Sequence, residues 1–153
     1  MAIKGFLGQF DITIDDKGRV RIPAKYKAQL GEEFIISCSE EKCIAIYPAE
    51  KWEKMTEQVD SINMLDINAN KFRRSIFTNV TQGSLDAAGR ILIPVKYREY
   101  AGFKKELVAA GLGDYFEIWD TENWLEGQYS TLETRRTLQQ EMAERLSGGK
   151  NGI

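Results

Sequence analysis

Asp15-Asp16-Lys17-Gly18-Arg19-Val20-Arg21-Ile22-Pro23-Ala24-Lys25-Tyr26-Lys27 decides the fold of this chain, because the chain says it twice. The pattern returns 71 residues on, as Asp86-Ala87-Ala88-Gly89-Arg90-Ile91-Leu92-Ile93-Pro94-Val95-Lys96-Tyr97-Arg98. Asp, Gly, Arg, Ile, Pro, Lys and Tyr recur at matched positions, and Val20/Ile91 and Lys27/Arg98 keep their chemistry. With a one-residue slip the echo continues: Ile44-Ala45-Ile46-Tyr47 precedes Trp52 as Phe116-Glu117-Ile118-Trp119 precedes Trp124. A spacing held over so many positions is an internal duplication, and it has to be settled before any fold is assigned.

Residue types give the local structure of the unit. Asp with Gly three residues later is turn chemistry, since the carboxylate bonds the backbone ahead of it and Gly supplies a positive φ without steric cost. Asp15, Gly18, Asp86 and Gly89 are therefore the structural residues of the motif. Val20-Arg21-Ile22 then alternates with the period of a half-buried strand. Pro23 and Pro94 stop that strand and suit the first turn of a helix. The short helices predicted over Ala24–Leu30 and Val95–Ala101 end at Gly31 and Gly102, the usual glycine position past a helix C-terminus.

Outward from the repeats, Met1–Phe10 reads as an apolar arm or strand leading into Asp11–Ile14. Phe34–Cys38 and Cys43–Tyr47 form a predicted hairpin, and Leu107–Gly113 with Tyr115–Trp119 a second, turning at Gly113-Asp114. Pro48 opens a helix with Trp52, Met55, Val59 and Ile62 on one stripe. A second helix, roughly Asp66 to Phe77, carries Ala69, Phe72 and Ile76 on one face and Lys71, Arg73 and Arg74 off it, for solvent or for a subunit or DNA contact. Asp120 is a natural N-cap for a helix from Thr121. Ser130…Glu133 reads as a capping box restarting that helix, and disorder is expected over 147–153.

Composition narrows the class. The chain has 153 residues, 42% hydrophobic and 29% charged, a globular balance. No apolar run approaches the ~20 residues of a transmembrane helix, and the N-terminus lacks a signal-peptide core; a cytoplasmic protein without a membrane partner is expected. Histidine is absent, removing the commonest general base and metal ligand. Cys38 and Cys43 are too few for a structural zinc site; they read as reduced thiols, or as a hairpin disulfide. With no nucleophile beside a base, no catalytic constellation is visible, and no cofactor, metal or small-molecule substrate is expected.

Net charge is −2, but unevenly spread. Residues 1–39 hold six Lys/Arg against five Asp/Glu, and 76–113 five against three, whereas 114–146 hold three against eight. Lys17–Lys27 contains five cations and no anion. A basic face on the repeats survives the global count, which is the footprint of a nucleic-acid binder.

The repeated Asp-x-x-Gly-Arg-Φ-x-Ile-Pro (Φ apolar) followed by a short helix resembles the swapped-hairpin unit of AbrB-type DNA-binding domains. Two tandem copies, with Phe72-Arg73-Arg74, Ala101-Gly102 and Phe116-Glu117-Ile118-Trp119, resemble the MraZ family of bacterial transcriptional regulators over residues 1–146. The resemblance implies a nucleoid-associated regulator that binds short direct repeats in double-stranded DNA upstream of the division and cell-wall gene cluster, as a ring-like homo-oligomer. It implies an α+β fold: two pseudo-symmetric swapped-hairpin β units, 1–80 and 81–146, sharing a barrel-like core flanked by helices. An antitoxin-like protein-binding module is the alternative within the same unit type, and RNA is disfavoured because no aromatic pair interrupts the basic stretch.

Period two sends Arg19 and Arg21 to one face while Val20 and Ile22 enter the core. Lys17, Arg19 and Arg21 then line a strand and its preceding loop, as β-ribbon readers of DNA do. Lys25, Arg90 and Lys96 complete the expected DNA-binding set. For Arg19 and Arg90 a second reading stays open: each closes a salt bridge to Asp15 or Asp86 and pins the turn. Both hold if the Asp orients the Arg. The second copy reads as less basic, with Ala87-Ala88 and Leu92 where the first has Asp16-Lys17 and Arg21, so Leu92 and the Phe72–Phe77 helix become candidate subunit contacts.

Overall fold

Each copy builds its turn, strand and short helix from its own residues, but hands its strands to the other. The structure, a computed structural model, describes residues 3–61 and 65–151. The first copy comprises β1 (Gln9–Thr13), β2 (Arg19–Arg21), α1 (Ala24–Leu30), β3 (Glu33–Cys38) and β4 (Ile44–Pro48). Helices α2 (Ala49–Asp60) and α3 (Ile67–Phe77) follow. The second copy repeats the order as β5 (Val80–Ser84), β6 (Arg90–Leu92), α4 (Val95–Tyr100), β7 (Glu106–Gly111) and β8 (Phe116–Asp120). Last come α5 (Thr121–Gly127) and α6 (Leu132–Asn151).

The main sheet runs β1-β7-β8-β4-β3-β5, antiparallel throughout. Its pseudo-dyad lies between β8 and β4, where Ala45 faces Glu117. Strand β1 of the first copy pairs with β7 of the second, and β5 of the second with β3 of the first. β2 and β6 form a separate two-stranded ribbon with Val20 opposite Ile91. Single bridges, Ile14 to Val20 and Leu85 to Ile91, link this ribbon to the outer strands.

The expected barrel-like core is not shown: among the described residues the six-stranded sheet stays open, and no continuous ladder closes it. Pro23 and Pro94 end β2 and β6 after three residues. Too little strand remains to extend a ladder beyond one bridge on each side, since proline brings no N–H.

Exchange of strands makes the core common to both copies. Val20, Ile22, Ile91, Ile93, Leu107, Phe116 and Ile118 are each at most 3% exposed and belong to one cluster with Tyr26, Phe34, Ile36, Ile44 and Ile46. Burial of each such aliphatic side chain is worth ~1.5–3 kcal/mol, and neither copy alone supplies its full set. By compactness Met1–Thr121 is one body and Glu122–Ile153 another.

In the first body, Trp52 of α2 packs on Phe77 of α3 and on Tyr47, with ring centroids 5.8 and 6.4 Å apart. Ile62 of its expected stripe lies outside the described residues. Asp66 caps α3, accepting from Asn68 and Ala69 N–H. Arg73 donates to the Val59 carbonyl and pairs with Asp60 at 3.4 Å, so this cation of the α3 cluster closes the helical hairpin. Phe72 is half exposed. Cys38 and Cys43 are free thiols, the latter buried.

The C-terminal body departs from two expectations. Thr131 caps α6, its Oγ1 accepting from the Thr134 N–H at 3.1 Å, so the cap falls one residue past Ser130. Helix α6 also continues to Asn151, across most of the stretch 147–153 read as disordered. A helix already nucleated adds a residue for one hydrogen bond each, so two glycines do not stop it. Residues 152–153 lie outside the described set.

Candidate nucleic-acid interface

The two Asp turns are built alike. In the first, Asp15 Oδ1 accepts from the N–H groups of Lys17 (3.0 Å) and Arg19 (2.9 Å), while Oδ2 accepts from Arg19 Nε at 2.8 Å. In the second, Asp86 Oδ1 accepts from Ala88 and Arg90 N–H, both at 2.9 Å, and Oδ2 from Arg90 Nε at 2.9 Å. Gly18 and Gly89 donate back to the Asp15 and Asp86 carbonyls with φ of 85° and 76°. A Cβ would be strained at either φ, which is why Gly stands there. Those backbone N–H bonds to Arg19 and Arg90 come first among the causes that hold both carboxyls below their ordinary value.

Each turn is also held by the opposite copy. The Ile93 N–H donates to the Gly18 carbonyl at 2.9 Å, and the Ile22 N–H to the Gly89 carbonyl at 3.4 Å. Arg98 lies against Gly18, and Lys27 against Gly89, so close that a Cβ at either glycine would collide with the cation. Sequence reasoning missed this exchange. Its signal was present: Lys27 and Arg98 are themselves a matched pair of the repeat.

The ribbon places the predicted cations. Val20 and Ile91 are fully buried on its inner face, so Arg19, Arg21, Arg90 and Leu92 take the outer one. In register, Arg19 faces Leu92 and Arg21 faces Arg90. The side chains of Arg19 and Arg90 are about one-third and one-quarter exposed, 31% and 27%. Arg90 also reaches Asp15, with Nη1 3.8 Å from Oδ2, so one carboxylate touches guanidinium groups of both copies. The salt-bridge reading of Arg19 and Arg90 is therefore correct as geometry. In each the Asp takes Nε; the terminal nitrogens of Arg19 have no protein partner among the described residues.

One expectation about charge changes. The sequence reads the second copy as the less basic, but antiparallel pairing carries Arg21 to its end of the ribbon. There Arg21 Nη1 donates to the Ala88 carbonyl at 3.2 Å. Lys17, Arg19 and Arg98 stand at one end, Arg21, Arg90 and Lys27 at the other, three cations each, with Asp16 beside Lys17 where the second turn has Ala87. Lys17 is exposed; Lys25 and Lys96 are exposed as second residues of α1 and α4. Among the described residues no group of three or more metal-ligating side chains is present, and no helix is long and apolar enough to cross a membrane.

A guanidinium clamped through Nε by a carboxylate is suited to planar, bidentate recognition of phosphate or of a guanine edge, because its geometry is fixed before the ligand arrives.

Comparison with known proteins agrees with the duplication. The model of the family described as "MraZ protein, putative antitoxin-like" matches the chain twice, over residues 6–75 and 76–146. The chain is 41% identical to a protein of Leuconostoc mesenteroides over 78% of its own length and 83% of the relative's. It is 36% identical to one of Moorella thermoacetica over 91% and 97%. A Thermomicrobium roseum protein is 39% identical over 78% and 84%. All three carry the name "Transcriptional regulator MraZ".

Proposed function

The chain belongs to the MraZ family, and from that premise we propose that it is a sequence-specific, non-enzymatic DNA-binding regulator of transcription. One observation carries the reading: the outer face of the β2–β6 ribbon bears Arg19, Arg21 and Arg90, with Arg19 and Arg90 fixed by Asp15 and Asp86. A two-stranded antiparallel ribbon fits the major groove of B-DNA, where arginine reads guanine. Lys17, Lys25 and Lys96 supply phosphate contacts, which give affinity without sequence information.

Gel-shift titration tests the assignment. Arg19→Ala weakens specific binding by ~1–3 kcal/mol, whereas Lys25→Ala lowers the salt dependence and leaves sequence preference alone. A folded Arg19→Ala protein with an unchanged titration removes Arg19 from recognition.

Function in the cell follows from how little one ribbon holds. A few phosphate contacts give only ~10⁻⁴–10⁻⁶ M affinity, so short direct repeats are read by several linked subunits, each linkage adding ~10²–10⁴ in avidity. Direct repeats require head-to-tail subunits, and a heterologous interface that closes is a ring. The exposed Phe72 and Phe77 of α3 are the apolar candidates for that interface. The proposed site of action is the nucleoid in the cytoplasm, on repeats upstream of the division and cell-wall gene cluster. Light scattering should give a mass well above the 17.4 kDa of one chain, with affinity rising steeply in repeat number. A monomer that binds one repeat as tightly as three defeats the assembly.

A further inference from the structure

The outer face of the ribbon holds four side chains, and the pseudo-dyad relates them in two pairs. Arg19 and Arg90 are one pair, identical in residue and in their Asp clamp. Arg21 and Leu92 are the other, 71 residues apart and equivalent in the repeat. Here the symmetry breaks, with a guanidinium at one end and an isobutyl group at the other. Leu92 is 58% exposed while its strand neighbour Ile91 is fully buried, so the leucine lies outside the core. A lone exposed leucine needs no explanation on an ordinary surface. This one stands directly across from Arg19, within the reach of an antiparallel cross-strand pair.

Two further asymmetries go with it. At the Leu92 end the turn carries Lys17; at the Arg21 end it carries Ala88, whose carbonyl Arg21 engages. The ends thus match in number of cations and differ in chemistry, with Asp16 an added anion at the Leu92 end where the other turn has Ala87. If the face were wholly symmetric it would favour a palindromic sequence, since site symmetry mirrors protein symmetry. A face with one arginine replaced by leucine instead favours different base pairs at its two ends. In the major groove the apolar feature open to an aliphatic side chain is the C5 methyl of thymine.

We infer that Leu92 is a specificity-determining residue: it packs on a thymine methyl beside the guanine contact of Arg19 and so fixes the direction in which each subunit lies on DNA. The inference rests on the DNA-binding reading above and adds to it a base identity and an orientation. It moves Leu92 from a subunit contact to the reading face. Fixed orientation also supplies what head-to-tail subunits on direct repeats require, because a symmetric reader would accept either direction.

The test uses the full chain and a duplex pool with a randomised central stretch, followed by anisotropy titration of the enriched site with each thymine changed in turn to uracil. Uracil pairs as thymine does and lacks only the methyl. The expected site is non-palindromic, and one uracil weakens wild-type binding about fourfold, the worth of one buried methyl. Leu92→Ala, at an exposed position, binds thymine and uracil versions alike. Leu92→Arg, which restores the equivalent of Arg21, shifts selection at that position to guanine and makes the site more symmetric.

A flat uracil scan with the wild-type protein overturns the inference, as does an equal uracil penalty in wild type and Leu92→Ala, or a palindromic wild-type site. Light scattering that shows Leu92→Ala in a smaller assembly returns the residue to a subunit interface and also overturns it. A pool that enriches no sequence at all defeats the DNA-binding reading beneath it, a failure distinct from an enriched site indifferent to the methyl.

Discussion

The turn at Asp15 and the turn at Asp86 have the same hydrogen bonds at nearly the same lengths, yet their surroundings differ. Asp15 binds Arg19 and also reaches Arg90 of the other copy, whereas Arg90 is the one arginine paired with Asp86 among the described residues. Tyr26 beyond the first turn is 1% exposed, edge-on to Phe6 and Phe10 of the N-terminal arm, with its hydroxyl donating to the Gly8 carbonyl at 2.7 Å. Its counterpart Tyr97 is only partly buried. Duplication thus preserved what the backbone of the turn requires and released what the outside of the turn does. Selection on geometry holds Asp, Gly, Arg and Pro in both copies; Lys17/Ala88 and Arg21/Leu92 are positions the turn leaves open.

The largest way to break the comparison is to separate the copies. A protein of residues 1–80 keeps β1 and β2 but loses β7 and β6, their partners. It is expected to aggregate or to dimerise in place of the missing copy, and a folded monomer in sedimentation analysis contradicts the shared core. Ile91→Ala, at a position with no exposure, is expected to lower stability by ~2–5 kcal/mol in chemical denaturation. Val20→Ala across the ribbon should cost less, having fewer atoms to lose.

A finer test sharpens the difference between the carboxylates. Asp15→Asn should weaken DNA binding more than Asp86→Asn, because Asp15 touches two of the ribbon arginines and Asp86 one. Stability should change little in either, since exposed ion pairs contribute little. Equal loss of affinity in gel shifts would show that the Arg90 contact with Asp15 has no part in the site.

The smallest expected effect is on pH. Both carboxyls are held below their ordinary value of 3.8, chiefly by the N–H groups of Arg19 and Arg90. A depressed folded-state value stabilises the folded form above the unfolded value, and that contribution fades as pH falls through the lowered one. The stability difference between wild type and Asp15→Asn should therefore be level above about pH 5 and shrink only below 3.8. A difference that begins to fall near neutrality would point to another group.

Much of the site was legible because its causes are local. Asp-x-x-Gly states an Asx turn and a positive φ within four residues, and the structure has both, twice. Proline after the strand and glycine after the helix gave the bounds of α1 and α4 to within a residue. The capping residue of α6 was misplaced by one because Ser130 and Thr131 are chemically equivalent as caps. The basicity of the second end was misjudged because charge was counted along the chain, while Arg21 and Ala88 meet across 67 residues.

By itself the sequence determined that there are two units, what each does over a dozen residues, and that arginines face outward from an apolar strand. These follow from sterics, period and hydrogen bonding between near neighbours. Only the tertiary structure decided that β1 joins β7 and β5 joins β3, that the sheet stays open, and that Leu92 stands opposite Arg19. An apolar strand records which of its faces is buried but not which distant strand covers it. The partner is chosen by the collective fit of a core that neither copy can complete.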